Sequence, residues 1–301
     1  MNLRVGGNVV RTATGRAAEA LHAEAWSVKE WRGQQAVIEI VDDATGDWGH
    51  INADHFTLDD TPVRATESAA WLDYGPDFYA GVTWSGAPNG RRVLLGWMSN
   101  WQYANDVPTA PWRSAMTVPR ELFLRRTSEG LRLSQHPVPE ILLRGTQKAF
   151  SSPENPRGNV EEANAWLAKE NIAGAALDLT FSLVAPPSGE SAVEVLAGDG
   201  AATRIGIDAA ANVLYVDRTK SGRSDFHPRF ATRVEAPLPS GSSTTEFRVL
   251  VDACSVEVFA ANGFTVLTAL VLPPQGAGKV SVVSADRVGF IKATVLTMPG
   301  R

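Results

Sequence analysis

The sequence has a single cysteine, Cys254, among its 301 residues. This excludes an internal disulfide framework and a cysteine-ligated metal site, and it leaves the redox compartment open. The sequence also lacks any run of about 18 apolar residues, so no membrane-spanning helix is predicted. Residues 1–16 are polar and contain glycine, without the apolar stretch that is typical of a secretory signal peptide.

An excess of positive charge is also missing. The formal net charge is −5, and residues 1–60 account for it with five Lys or Arg against ten Asp or Glu, while the other residues balance at 23 of each sign. Because nucleic-acid binding depends on neutralising phosphates, a chain without a basic stripe is a poor candidate for it. The nine tryptophans, five of them between Trp71 and Trp112, favour an uncharged ligand instead.

Several motifs of enzyme chemistry do not occur, among them the nucleophile elbow, the phosphate loop, the zinc-binding His-Glu-x-x-His and the dinucleotide-binding Gly-x-Gly-x-x-Gly. His50 and His55, near Asp47 and Asp54, are explained either by a metal site or by local hydrogen bonds in a turn, and we favour the turn. Asp42, Asp43 and Asp47 are explained either by a Ca²⁺ site or by an Asx-rich hairpin, and we favour the hairpin because their spacing matches no calcium loop. No metal and no cofactor are therefore predicted.

What the sequence does contain is short stretches of alternating apolar and polar residues between turn residues, which predict an all-β fold. In residues 1–60 these stretches are Gln35–Val41 and Trp48–Phe56, and in residues 61–143 they are Tyr79–Trp84, Arg92–Met98, Ala115–Leu124 and Leu131–Ser134. Residues 86–90 form the turn between the first two of the latter group. Strands at this spacing, rich in aromatics, are typical of propeller blades or of a sandwich.

The clearest β pattern lies in residues 144–301, after one short helix predicted at Glu161–Glu170. Nine further strands are predicted at Ala176–Val184, Ala192–Leu196, Thr203–Ile207, Val213–Asp217, Phe247–Val251, Ser255–Phe259, Thr265–Val271, Lys279–Val283 and Gly289–Leu296. Their alternation indicates a two-sheet sandwich in which each sheet has one solvent-exposed face. The absence of long helical periodicity argues against an α/β enzyme fold.

Aromatic and polar side chains are most concentrated in Trp71–Tyr79, Gly96–Trp101 and Pro108–Arg113. Sugars present apolar C–H faces and hydroxyl groups, so their sites combine aromatic platforms with a few fixed polar partners. The interleaved polar residues favour a carbohydrate groove. The alternative, that these aromatics fill the interior of a blade, stays open.

The same segment does not define a catalytic pair. Glycoside hydrolysis needs two carboxyl groups, about 5 Å apart for retention or about 6.5–9.5 Å apart for inversion. The acids nearby are Asp73, Asp77, Asp106 and Glu121. Asp73 and Asp77 share one Gly-Pro turn, and Glu121 stands beside Arg120, where a structural ion pair is the favoured interpretation. A self-contained pair remains the minor alternative.

Residues 69–300 resemble glycoside hydrolase family 32, which contains levanases, exo-inulinases and invertases. The resemblance rests on motifs that occur in the order of the family: Trp71–Ala80, Leu95–Trp101, Trp112–Met116, Val118–Leu122, Tyr215–Thr219, Ser255–Phe259 with Asn262-Gly263, and Leu270–Pro273. Residues 1–58 are similar to the end of a carbohydrate-binding-like β-sandwich that some levanases and exo-inulinases carry as an insertion.

The resemblance implies a five-bladed propeller followed by a β-sandwich. It divides the chain into the end of an inserted sandwich module (1–60), the last blade or two of the propeller (61–143) and the C-terminal sandwich (144–301). One or two blades alone leave apolar faces exposed, so residues 175–301 are expected to fold cooperatively and residues 60–140 to be soluble only with a partner.

The family's reaction is retaining hydrolysis of β-fructosides. Its nucleophile motif Trp-Met-Asn-Asp-Pro-Asn-Gly, its Arg-Asp-Pro motif and its Glu-Cys motif do not occur in this chain. In family order they precede Met1, so the expectation is a C-terminal portion that is inactive alone, with the remaining propeller as a partner. The parent enzyme is expected to be secreted.

Substrate contacts are what the resemblance transfers to this chain. Trp97 matches the family's aromatic beside the terminal fructose, Asp77 and Tyr79 match pocket-side residues, and Asn100 and Trp101 are further candidates. The ligand is expected to be a fructan or a sucrose-type carbohydrate. The competing hypotheses are a non-catalytic fructan-binding protein that uses Trp97 and Trp101 with the N-terminal module, and an inert chain whose sandwich only braces a propeller.

Overall fold

The computed structural model describes residues 1–15, 21–43, 45, 51–60, 71–128, 130–143, 146–151, 160–238, 244–284 and 288–297. The chain divides into two compact units, Met1–Ala70 and Trp71–Arg301. In the described ranges no helix has the length and apolar character needed to cross a membrane.

The first unit contains a three-stranded antiparallel sheet in the order β2-β1-β3, with β1 at Asn2–Val5, β2 at Asn8–Thr12 and β3 at Ala36–Glu39. Gly6 and Gly7 connect β1 to β2 with positive φ angles of 56° and 84°, as a two-residue hairpin turn requires. The strand predicted at 35–41 is confirmed as β3. The strand predicted at 48–56 is wrong for residues 51–56, which are irregular, and residues 46–50 lie outside the described ranges.

The second unit begins with an antiparallel sheet that we call the aromatic sheet. Its strands run in the order β4-β5-β7-β8, with β6 paired to β5. The bounds are β4 Tyr79–Thr83, β5 Val93–Met98, β6 Ala115–Met116, β7 Arg120–Thr127 and β8 Gly130–Pro137. All four predicted stretches are strands, and the one at 115–124 is divided into β6 and β7. The described part of residues 71–143 thus holds one sheet.

The rest of the second unit is a two-sheet sandwich. One sheet has the order β17-β16-β15-β10-β19-β9 and the other the order β14-β13-β12-β11-β18. The helix α1 spans Val160–Lys169, within one residue of the prediction at each end. The strands are β9 Thr146–Ser151, β10 Leu177–Val184, β11 Glu190–Gly198, β12 Ala201–Asp208, β13 Val213–Asp217, β14 Arg233–Pro237, β15 Thr244–Asp252, β16 Ser255–Ala260, β17 Thr265–Leu270, β18 Lys279–Ser284 and β19 Val288–Thr297.

The main core lies between the two sandwich sheets, as the alternation predicts. Phe181, Val249 and Val258 from the six-stranded sheet belong to the same buried cluster as Ile205 and Val216 from the five-stranded sheet. Phe181 and Phe247 are directly opposed in β10 and β15, and their rings stack at a centroid distance of 5.2 Å. Burying such apolar surface contributes about 25 cal/mol per Å².

The other face of the six-stranded sheet differs from the prediction at β16 and β17, where every residue of both strands is buried. Leu250, Phe259 and Val266 on this outer face pack against Val118 and Ile141. A solvent-exposed face was predicted here, and that prediction is wrong because the aromatic sheet covers it. The aromatic sheet therefore packs against the sandwich, and both belong to the second unit.

Candidate functional site

Three aromatic side chains meet on the surface of the aromatic sheet. Tyr79 in β4 is the register partner of Trp97 in β5, and their ring centroids are 6.1 Å apart at an interplanar angle of 77°. The Trp97 ring also lies 5.1 Å from that of Trp101, tilted by 54°. Tyr79 is 48% exposed and Trp101 is 55% exposed. We call Tyr79, Trp97 and Trp101 the aromatic cluster.

The backbone of β5 explains why Trp97 faces away from the interior. Side chains of a strand point alternately to its two faces. Leu94 and Met98 point inward and are buried, and Gly96 shares their face. A Cβ at Gly96 would lie 2.4 Å from the Phe78 ring, so the absence of a side chain at Gly96 lets this ring approach the strand. Trp97 then takes the opposite face.

Asn100 shapes the turn that carries Trp101. Its Oδ1 accepts a hydrogen bond from the backbone N–H of Gln102 at 2.9 Å, and its Nδ2 donates to the carbonyl of Pro76 at 2.8 Å. The amide therefore joins the turn of Trp101 to the segment that precedes Tyr79. Asn100 was expected to contact substrate, and the structure shows that backbone groups occupy both ends of its amide.

Asp77 was expected on the pocket side, and the structure places its side chain in the interior, completely buried. Its Oδ2 accepts hydrogen bonds from Arg218 Nη1 at 2.6 Å and from the Leu270 N–H at 2.8 Å. Its Oδ1 accepts a bond from the Tyr103 hydroxyl at 2.6 Å. Burial raises the pKa of Asp77, while the positive charge of Arg218 opposes this shift. A sugar hydroxyl has no access to this carboxylate.

A second buried arginine, Arg120, joins the aromatic sheet to the sandwich. Its Nη1 donates to Asp73 Oδ2 and its Nη2 to Glu257 Oε2, each at 2.8 Å. Nη2 also donates to the Thr268 hydroxyl at 2.6 Å. Burial raises the pKa of Glu257, and Arg120 opposes this shift. Such a network is characteristic of a structural joint between packed elements rather than of an open site.

These contacts account for three of the four acids in this part of the sequence. Asp73 and Asp77 are bound to arginines in the interior, and Glu121 pairs with Arg91 at 3.1 Å. The ion pair expected for Glu121 is present, although its partner is Arg91 and not Arg120. Asp106 is the remaining acid, and it is exposed. Glu140, further along the chain, is also paired with Arg91. The described part of residues 71–143 therefore offers no two free carboxylates across a groove.

Metal ligation has no geometric support in the ranges that the structure describes, where no three His, Cys, Asp or Glu side chains group together. His55 lies in an irregular segment, and its backbone N–H donates to the Asp54 carboxylate at 2.7 Å. Asp47 and His50 lie outside the described residues.

Sequence reasoning missed Tyr103 and Arg218 as the buried partners of Asp77, and Glu257 as the buried partner of Arg120. Arg218 and Asp77 are 141 residues apart, and Arg120 and Glu257 are 137 apart. No local pattern shows such pairings. One signal was nevertheless present, since Glu257 is a charged residue inside the apolar run Val256–Phe259, and a buried charge requires a partner.

The second unit thus defines a class: an all-β protein in which a two-sheet sandwich supports a further sheet with an exposed aromatic surface. The model of the glycosyl hydrolases family 32 C-terminal domain matches residues 142–297, and the model of the family 32 N-terminal domain matches residues 22–137. The chain belongs to glycoside hydrolase family 32. The N-terminal match begins inside residues 1–60, the segment that the resemblance assigns to an inserted module.

Individual relatives agree with this assignment. The levanase of Bacillus subtilis is 38% identical over 258 residues, which are 83% of this chain and 36% of the levanase. The extracellular exo-inulinase of Aspergillus niger is 35% identical over 239 residues, which are 78% of this chain and 44% of the relative. The crystal structure of the exo-inulinase from Aspergillus awamori matches with a TM-score of 0.63 and 28% identity, over 79% of this chain and 47% of that one. The chain spans about two fifths of the length of the relatives it matches.

Proposed function

We propose that this chain supplies a fructoside-binding surface of a glycoside hydrolase that processes fructans or sucrose. The observation that carries the proposal is the aromatic cluster, because the partly buried Trp97 contacts the exposed rings of both Tyr79 and Trp101. The relatives support it, since the similar proteins are a levanase and exo-inulinases.

The geometry of the cluster suits a sugar ring. Trp97 and Trp101 are tilted by 54° and Tyr79 is nearly perpendicular to Trp97, so the three rings form a non-planar surface. A fructosyl unit can then place its apolar C–H groups on one indole while its edge contacts a second ring. Aromatic side chains lose little conformational entropy on binding, because they have only two rotatable side-chain bonds.

Asp77 and Asn100 have a supporting role in this proposal. Both bind neighbouring protein groups and hold the segments from which Tyr79 and Trp101 project. The sugar contacts are therefore assigned to Tyr79, Trp97 and Trp101 alone.

Cleavage is assigned to carboxylates outside these 301 residues. A retaining mechanism needs a nucleophile and an acid about 5 Å apart. The family's three catalytic motifs are absent from the sequence, and Asp73, Asp77 and Glu121 are held in ion pairs. The chain by itself is therefore proposed to bind fructosides without hydrolysing them.

Fructose release from levan, inulin and sucrose tests the catalytic half of the proposal. The purified chain is expected to release no more fructose than a buffer blank, while a full-length levanase serves as the positive control. Release that disappears in Asp106→Asn would show that the chain hydrolyses fructosides with an acid of its own, and the proposal of inactivity would be wrong.

Retardation in levan-containing gels tests the binding half. Trp97→Ala is expected to abolish the retardation, because Trp97 contacts both other rings. Trp84→Ala is the matched control, since Trp84 is as exposed as Tyr79 at 48% and directly follows β4 without belonging to the cluster. Equal retardation of wild type and Trp97→Ala would remove the cluster as the binding surface.

A non-catalytic fructan-binding protein is the second candidate, favoured by the same combination of exposed aromatics and ion-paired acids. The two candidates differ when the chain is mixed with a polypeptide that contains the family's nucleophile and acid motifs. Restored hydrolysis identifies an enzyme portion. Levan retardation without restored hydrolysis identifies a binding protein.

A further inference from the structure

We propose that Arg218, a residue of the sandwich, is a positioning residue for the aromatic cluster and fixes the relative orientation of its rings through Asp77 and Tyr103. This inference rests on the proposed function for its consequence in sugar binding. The claim that Arg218 fixes the orientation of the rings does not depend on sugar binding and can be tested on the protein alone.

The connection follows from where the two partners lie in the chain. Asp77 stands two residues before Tyr79, and Tyr103 stands two residues after Trp101. Arg218 donates from Nη1 to Asp77 Oδ2 at 2.6 Å and from Nη2 to the Tyr103 hydroxyl at 2.9 Å. A single guanidinium therefore ties together the two segments from which the outer members of the cluster project.

Arg218 is itself held from the sandwich side. It follows β13 directly, its Nη1 also donates to the Leu270 carbonyl at 3.0 Å, and its backbone N–H donates to the Thr232 carbonyl at 3.0 Å. The guanidinium lies 4.1 Å from the centre of the Phe230 ring, against which Tyr103 packs edge-on at 5.4 Å. With this support, the guanidinium cannot shift without moving the buried aromatic residues beneath it.

The planar shape of the guanidinium matters for this role. Its two Nη groups point in fixed, separate directions, whereas the ammonium group of lysine is a single point of charge. Arg218→Lys keeps a positive charge beside Asp77 but cannot reproduce both contacts. Tyr103→Phe keeps the ring packing and removes only the hydroxyl that links Arg218 to the turn of Trp101.

Circular dichroism provides a readout that a purely structural role would leave unchanged. Two indole rings 5.1 Å apart at a fixed tilt couple their electronic transitions and give an exciton couplet, and Trp97→Phe and Trp101→Phe assign that couplet by removing it. Thermal unfolding and levan affinity are measured on the same samples. This separates a change in ring geometry from a loss of folding.

The chain offers a closely matched control. Tyr215 is also fully buried, its hydroxyl is hydrogen-bonded to Glu190 Oε2 at 3.0 Å, and an arginine, Arg233, lies 3.9 Å over its ring. Tyr215→Phe thus removes the hydroxyl from a second buried group of tyrosine, carboxylate and arginine. Within the part of the chain that the structure describes, this group has no hydrogen bond or ring contact with the aromatic cluster.

Tyr103→Phe and Arg218→Lys are expected to weaken the couplet and to reduce levan affinity by up to about tenfold, because the population of the binding orientation falls by at most the factor that one net hydrogen bond supplies. Tyr215→Phe is expected to leave both unchanged. The inference would be overturned if Tyr103→Phe and Arg218→Lys kept the couplet of the wild type, or if Tyr215→Phe weakened the couplet equally. It would also be overturned if the wild type showed no couplet. If the wild type shows the couplet but no levan affinity, the proposed function fails while the couplet still decides the role of Arg218.

Discussion

Replacing Arg120 by methionine should destabilise the aromatic sheet and the sandwich together. Arg120 is fully buried and lies between the carboxylates of Asp73 and Glu257, which are themselves almost completely buried. Methionine fills a similar volume and removes the positive charge. Two carboxylates then remain in the interior, and the Thr268 hydroxyl loses a donor.

The expected loss in the free energy of unfolding follows from the burial of all three charged side chains, Arg120, Asp73 and Glu257. Removing one partner of a buried ion pair costs about 3–5 kcal/mol, because the remaining charge keeps its desolvation penalty without compensation. In Arg120→Met one of the two carboxyls can take up a proton, which keeps the expected loss within this range. Divided by a urea m-value of about 3 kcal/mol/M, it lowers the midpoint of unfolding by about 1–1.7 M.

Urea unfolding followed by tryptophan fluorescence measures this shift. Trp166 in α1 packs against the sandwich core and Trp97 lies on the aromatic sheet, so single-tryptophan versions report the two parts separately. Arg248→Met is the control, because Arg248 is 28% exposed and pairs with Asp178 on the sandwich alone. Its expected loss is about 1 kcal/mol.

Two results would refute the reasoning. One is an Arg120→Met midpoint no lower than that of Arg248→Met. The other is a sandwich that unfolds at the wild-type midpoint while the aromatic sheet unfolds earlier. That second result would support the prediction from the sequence that residues 175–301 fold independently of residues 60–140. It would contradict cooperative unfolding of Trp71–Arg301, which forms one compact unit in the structure.

Three further predictions concern other positions. Burial, together with Arg125 and Arg248, lowers the pKa of His136 from its ordinary 6.5, so the unfolded chain binds the proton more readily. Stability should therefore fall as the pH falls below about 6.5, and His136→Gln should flatten this dependence in urea midpoints measured across pH. Gly75→Ala places a Cβ 2.1 Å from the backbone of Thr268 and should cost about 3 kcal/mol in thermal unfolding, whereas Gly15→Ala, with nothing within 4 Å, should be near neutral. Burial raises the pKa of the Cys254 thiol, so maleimide labelling at neutral pH should be slow until urea unfolds the chain.

Most strands of the second unit could be predicted, because each sandwich sheet keeps one apolar face towards the common core. The two strands that were missed, β9 and β14, lie at sheet edges. The β14 sequence Arg233–Pro237 ends in proline and contains two charged residues, so its local pattern does not indicate a strand. Its pairing with β13 determines its conformation.

The outer face of β16 shows why alternation can mislead. Ser255, Glu257 and Phe259 alternate with smaller apolar residues, which indicates a solvent-exposed face. In the structure this face is buried under the aromatic sheet, and Glu257 is bound to Arg120. Polarity in the sequence reports that a side chain needs a polar partner. It does not show whether that partner is water or a residue far away in the chain.

In the candidate site, too, the sequence could place some residues and not others. Tyr79 and Trp97 could be placed together, because adjacent antiparallel strands bring register partners onto one face. Asp77 could not be placed, since the short spacing to Tyr79 is compatible with a surface turn as well as with a buried carboxylate. Only the donors from Arg218, Tyr103 and Leu270 decide between these two positions.

The two buried arginines explain why stability and the proposed binding surface depend on the same junction. Buried ion pairs contribute little net stability compared with apolar packing, but they impose one arrangement of the groups around them. Arg120 fixes the aromatic sheet to β16 and β17, and Arg218 fixes the segments on either side of the aromatic cluster to β13. Substitution of either network by apolar residues of matching volume should therefore preserve folding better than it preserves the orientation of Trp97 and Trp101.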